Sequence, residues 1–119
     1  MAAVLTTTGK QWIVDRMRGT VTTSMQFVHW GTGTVAEVVG NTALGTPSAE
    51  ARVAGTITSP SAALHRVIAT LTSASTQSIS EAGLFDASAA GVMLIRSVFT
   101  AVPLLAGDSI QFTFDFTQT

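Results

Sequence analysis

Ile110-Gln111-Phe112-Thr113-Phe114-Asp115-Phe116-Thr117 is the stretch that decides the fold class. Apolar Ile110, Phe112, Phe114 and Phe116 alternate with polar Gln111, Thr113, Asp115 and Thr117. A period of two is that of a β-strand with one face buried and the other wet, and the aromatic face predicts a last strand lying centrally in the core. The same grammar, rich in Thr, Ser, Val and Phe, recurs upstream over residues 52–58, 64–72, 77–85 and 92–100. It returns, blurred toward Trp30, where Val21, Thr23, Met25 and Phe27 oppose Thr22, Ser24, Gln26 and Val28. Six strands are the minimum. Pro47, Pro60 and Pro103 are expected to fall between strands, because proline removes a ladder donor. Residues 86–91 read as a short hairpin loop, and Ala106-Gly107-Asp108 as a tight turn into the last strand. Residues 31–48 form the longest stretch without periodicity, either an exposed functional loop or the site of a short extra strand around Val35 to Val39.

One helix precedes the strands. Thr8 stands three residues before Gln11, the spacing of a capping box, and Trp12, Ile13 and Met17 follow at helical intervals up to Gly19. A helix over 8–18 is predicted, with Arg16 and Arg18 at the end that the helix dipole favours for cations. The expected architecture is therefore one all-β domain over 1–119: an arm at 1–8, the helix at 8–18, and a β-sandwich or jelly roll over 20–119. A parallel α/β fold needs helices between its strands, and these connections are too short to hold them.

Composition narrows the function. Lys and Arg number 6 and Asp and Glu 7 among 119 residues, so 11 % of the chain is charged, against roughly 25 % in a typical soluble domain. A net charge of −1 gives no basic footprint for nucleic acid or an anionic membrane. Mean hydropathy is +0.44, yet no apolar run is long enough for a membrane helix, and Met1 to Leu5 is too short for an export signal. So bare a surface points to a subunit covered by partners.

Chemistry-bearing motifs are sparse. His29, within Phe27-Val28-His29-Trp30, reads as a half-buried hydrogen-bonded residue, and His65 as solvated. No Gly-x-Ser-x-Gly elbow is present, the chain has no cysteine, and the two histidines stand far apart, so neither an enzyme nor a metal site nor a cofactor is expected. Gly31-Thr32-Gly33-Thr34 lacks the third glycine and the lysine of a phosphate loop and reads as a turn whose glycines take positive φ. Glu81 and Asp86 are expected to be solvated or arginine-paired. Arg96 is the candidate partner of Glu81 on an adjoining strand, as a surface pair of little energetic weight. Gly83 marks a bulge or a close backbone approach, with Leu84 and Phe85 on opposite faces.

Taken in order, Leu5-Thr6-Thr7-Thr8-Gly9-Lys10, Phe27-Val28-His29-Trp30-Gly31-Thr32-Gly33-Thr34, Asn41-Thr42-Ala43-Leu44, Ser80-Glu81-Ala82-Gly83-Leu84-Phe85-Asp86, Met93-Leu94-Ile95-Arg96-Ser97-Val98-Phe99 and Gly107-Asp108-Ser109-Ile110-Gln111-Phe112 resemble a family of small tailed-bacteriophage virion proteins. The resemblance implies a virion structural protein assembled in the host cytoplasm. Its first form is a capsid decoration or cement protein that binds the outer shell and bridges capsomers. Its alternative is a tail or fibre component, an adaptor or receptor-contacting module. A small jelly-roll enzyme is the remote third. The implied partners are the major capsid protein or other virion proteins, together with self-association as a homotrimer or, second, a homodimer. The contact surface is expected on the arm and helix, at Val4, Leu5, Trp12, Arg16 and Arg18. An extended arm either tucks into its own sandwich or adds to a neighbour's edge strand; in the second case, removing 1–8 leaves a folded domain that no longer attaches.

Overall fold

The computed structural model describes residues 2–118. Its elements are β1 (Ala2–Leu5), α1 (Thr7–Arg18), β2 (Phe27–Gly31), β3 (Val53–Ala54), β4 (Thr56–Thr58), β5 (Leu64–Thr72), β6 (Gln77–Phe85), β7 (Met93–Leu104) and β8 (Ser109–Thr117). The chain is all-β with one short helix. Its strands pair antiparallel in two sheets, one ordered β1-β7-β6-β2-β3 and the other β4-β5-β8. Neither sheet can bury its apolar face alone, so the two stack as a sandwich. Val28, Trp30, Ile79 and Leu84 of the larger sheet share a core with Val67, Leu71 and Phe114 of the smaller. Phe112 bridges the layers, edge-on to Trp30 at 6.3 Å and tilted against Phe99 at 6.1 Å.

Strands β5 and β6 begin and end where their strand-forming composition placed them. Elsewhere the structure departs from the sequence reading, each time for a local reason. Residues 21–26 form no strand. They are held by single bonds rather than a ladder: Gln26 N donates to Phe85 O at 3.1 Å, Thr23 Oγ1 accepts from Trp12 Nε1 at 3.2 Å and donates to Asp86 at 2.7 Å, and the Met25 carbonyl lies 2.9 Å from His65 Nε2. Residues 52–58 divide into β3 and β4, one in each sheet, at Gly55. A Cβ there would stand 2.5 Å from Val67 Cγ1, so only glycine lets the chain pass between layers. Pro103 lies inside β7 rather than beyond it. Past Val98, the last β7 residue paired with β1, β7 keeps only β6 as a described neighbour, and proline is tolerated on an edge.

The last strand is not central. Among the described residues β8 pairs with β5 alone and forms the edge of the smaller sheet. Its Phe114 is buried, whereas Ile110, Phe112 and Phe116 are half-buried and face a groove of about 580 Å³ that opens between β8 and the β1–β7 side of the larger sheet. Alternation reports which face is buried and is silent about how many neighbours a strand has.

The N-terminal segment is part of the sandwich, the first of the two dispositions open to it. Ala2 to Leu5 pair with Val98 to Ile95. The helix cap is Thr6 and not Thr8: Thr6 has extended backbone, its Oγ1 accepts from the Gly9 N–H at 2.9 Å, and its hydroxyl donates to the Met93 carbonyl in a fully buried setting. At the other end Gly19, with φ 78°, closes the helix by donating to Arg16 O at 3.2 Å while Thr20 N donates to Asp15 O at 2.9 Å, the paired bonds of a Schellman motif. Trp12 and Ile13 pack on the core, but Met17 is 82 % exposed and faces away from it.

Because Thr6 links helix and sheet, Thr6→Ala should lower the unfolding free energy in urea by about 1–2 kcal/mol. Deleting residues 1–8 removes both β1 and this cap, so the truncated chain should melt well below the intact one rather than persist as an undisturbed domain.

Candidate functional site

Strand β6 is covered on both faces from Ile79 onward. Its inner face carries Ala82 and Leu84 into the core. The outer face carries Glu81, and what covers it is the aperiodic stretch 32–46, folded back as a loop over the sheet. Glu81 stands diagonally across the β6–β7 ladder from Arg96, since Glu81 registers with Val98 and Gly83 with Arg96.

The carboxylate is 0 % exposed and Arg96 2 %. Arg96 Nε and Nη2 donate to Glu81 Oε1 at 3.1 and 2.9 Å, two charge-assisted bonds converging on one oxygen and leaving Oε2 to the loop. The loop supplies the rest. Gly45 N donates to Oε1 at 2.8 Å, and Gly33 N and Thr46 N donate to Oε2 at 2.9 and 2.7 Å. Arg96 in turn donates to the Val35 carbonyl and to Asn41 Oδ1, both at 3.0 Å. Ser80 Oγ adds a bond to Gly33 O at 2.6 Å. Burial pushes the Glu81 carboxyl up, and the bonds from Thr46, Gly45, Arg96 and Gly33 outweigh it, holding the group below the usual glutamate value.

The glycines follow from this geometry. Gly31 and Gly33 do not have the positive φ expected of turn glycines; among the described residues Gly19, Gly91 and Gly107 do. A Cβ on Gly33 would run into the Glu81 carboxylate, and one on Gly31 into the Thr46 carbonyl. They are small because backbone must approach backbone and carboxylate.

Beneath the loop Leu44 packs with Phe85, Met93 and Phe27 in a separate apolar cluster. Gly83 is the close approach there, with Leu44, Met93 and Phe85 side chains about to meet any Cβ. The loop's far end is tied by Thr7 N to Val39 O at 2.7 Å and by Asn41, whose Oδ1 accepts from Val38 N at 2.9 Å. No strand forms at Val35 to Val39. Instead the pinned backbone holds Val35, Val38 and Val39 outward, 75 %, 55 % and 53 % exposed.

A second carboxylate braces the loop's end. Glu50 Oε1 accepts from Ser48 Oγ, Trp30 Nε1 and Gln77 Nε2, and Oε2 from Ala74 N. The Ser48 bond leads in holding this carboxyl down at about 2, with Gln77, Trp30 and Ala74 adding to it against the cost of burial. Asp86 is capped by Thr23 Oγ1 and Val92 N at 2.7 Å each, and Arg52 lies over the Phe85 ring at 3.6 Å while donating to the carbonyls of Ala87 and Ala90.

The residues expected to meet a partner do not share one surface. Val4 and Leu5 are half-buried in β1, on the groove facing β8. Trp12 and Arg16 line a second cleft of about 400 Å³ with Met25 and Phe116. Arg18 is exposed at the helix end, 3.8 Å from Asp15. The Glu81–Arg96 pair is present but buried, not at the surface. His29 is hydrogen-bonded, its Nε2 2.8 Å from the Glu50 carbonyl, and His65 is bonded too rather than solvated. Among the described residues no group of three or more His, Asp or Glu converges to hold a metal.

Glu81→Gln leaves a buried guanidinium without its counter-charge and should cost about 3–5 kcal/mol in chemical denaturation. Gly33→Ala should also destabilise, by displacing the loop from the carboxylate. Both Glu81 and Glu50 are held below the ordinary value of 4.5, so their contribution is whole above that value and lost as the pH falls through the folded one. A melting profile should be flat in this respect near neutrality and decline below about pH 4.5, toward 2 for Glu50; Glu81→Gln should shallow that decline. The chain matches no family model, no curated protein and no solved structure, so the site stands on its own geometry.

Proposed function

We propose that the chain is a virion structural protein of a tailed phage, a decoration or cement subunit that binds the outer face of the capsid and works by contact rather than by turnover. The observation that carries this reading is the loop over β6. Three exposed valines sit on a backbone anchored by a fully buried ion pair, and an apolar tip held rigid loses little conformational freedom on docking. A flexible loop of the same composition would lose more. Low surface charge supports a subunit that lives against neighbours, and the likeness of Trp30-Gly31-Thr32-Gly33-Thr34 and Glu81-Ala82-Gly83-Leu84-Phe85 to small phage virion proteins supports a virion as the particle. Those same two stretches build the loop anchor, which ties the resemblance to the contact surface. The partner is the major capsid protein, and attachment shifts from the arm and helix to the loop tip.

Two measurements test this. Quantified gels of purified particles should show the chain in numbers comparable to the major shell protein; a few to some tens of copies would make it a tail component, and absence would end the virion reading. The variant carrying Val35→Ser, Val38→Ser and Val39→Ser should keep its melting temperature, since none of these side chains is buried, yet fail to bind particles lacking the native protein. Full occupancy by the variant would remove the loop from the contact.

A further inference from the structure

The edges of the two sheets are unequal. β3, β4 and β1 end them with strands of two, three and four residues, whereas β8 presents nine. Short edges offer little to pair with, but a long, regular one is a template for another strand. β8 also lacks most of the usual protections, carrying one charge, Asp115, already bonded to Arg66. Its register with β5 runs without a shift from Ser109 to Thr117, and it contains no lysine or proline. Its inward row of Ile110, Phe112, Phe114 and Phe116 borders the open groove.

We infer that this edge is completed by β8 of a second copy, antiparallel about a two-fold axis at Thr113, giving a homodimer with a continuous six-stranded sheet. Parity selects the register. Residues directly opposite in an antiparallel pair point to the same face, so only an axis passing through a residue sets inward row against inward row. An axis at Thr113 pairs all nine residues. Phe112 then faces Phe114 of the other copy, Ile110 faces Phe116, and Thr113 faces itself, all favourable cross-strand pairs. Charge agrees with this choice. Asp115 is the single charged residue of β8, bonded to Arg66 of β5 at 2.7 Å, and in this register it meets Gln111, an amide able to donate to it. Sliding one copy by two residues toward the C-terminal end moves the axis to Phe114 and leaves Ser109 and Ile110 without a partner, and a further two residues set Asp115 opposite Asp115 and leave 109–112 unpaired. An isologous contact of this kind closes on itself, which stops the edge from propagating into fibres. It uses a surface other than the valine loop and stands independently of the virion reading.

Sedimentation of the purified protein at micromolar concentrations should give twice the 12.3 kDa chain mass. Thr113 is exposed, so its replacement leaves the fold intact, which far-UV spectra verify. Thr113→Lys and Thr113→Glu each set like charges face to face and should weaken dimerisation at least about tenfold, while an equimolar mixture of the two variants should restore it. A monomer or trimer at every concentration, a Thr113→Lys dimer of undiminished affinity, or a mixture that fails to associate would each overturn the proposal.

Discussion

A carboxylate with no exposure on the covered face of a sheet must be satisfied completely or it destabilises the fold, and Glu81 is the group on which this molecule turns. Desolvating the pair costs several kcal/mol per ion in general, which only a full set of hydrogen bonds offsets. Arg96 provides two, and the loop backbone must provide the others. The ion pair therefore dictates that residues 32–46 lie back over β6, that positions 31 and 33 be glycine, and that Asn41 and the Val35 carbonyl turn toward the guanidinium. A loop with no periodic structure becomes as determined as a strand. The energetic worth of such a pair is mostly negative information: an alternative fold of the loop would strand two buried charges.

That constraint also explains what could and could not be read from the chain alone. The strand-forming composition of Leu64–Thr72 and Gln77–Phe85, bounded by small polar residues, marks their limits, since strand character is a local property. Glu81 and Arg96 were recognisable as partners on adjoining strands because both sit in strongly patterned segments. Their burial was not recognisable, because it is conferred by a loop whose own sequence carries no period. The glycines of 31–33 looked like turn residues for the same reason. A glycine required by positive φ and one required by a neighbouring carboxylate are spelled identically. The sequence marks Thr8 as the helix cap and not Thr6, whose hydroxyl is fixed by the Met93 carbonyl 87 positions away. Gly55, which splits 52–58 between layers, is invisible without knowing that Val67 passes beside it.

β8 illustrates a different limit. Its aromatic row was legible and its placement at an edge was not, although three phenylalanines on an edge strand have consequences for packing. Phe112 reaches across to Trp30 and Phe99, so the layers are joined by aromatic contacts where the backbones part. The sandwich is closed at the β2–β5 side and open at the β1–β8 side, and a chain with few charges has little else to shield that opening.

The pairing of β1 with β7 has a consequence for how the molecule comes into being. Leu5 meets Ile95 across a separation of 90 positions, and at synthesis rates of about 5–20 residues per second the first strand waits roughly 5–18 seconds for its partner to be made. Helix α1 shares that delay, because Thr6 is fixed by Met93 and Gly9 packs on Leu94. The smaller sheet is later still, since β5 needs β8. Little of the structure can be settled on the ribosome before the final third has emerged. Such non-local connectivity places the chain among slow folders, whose exposed apolar segments depend on chaperones or rapid completion of the chain to stay out of aggregates.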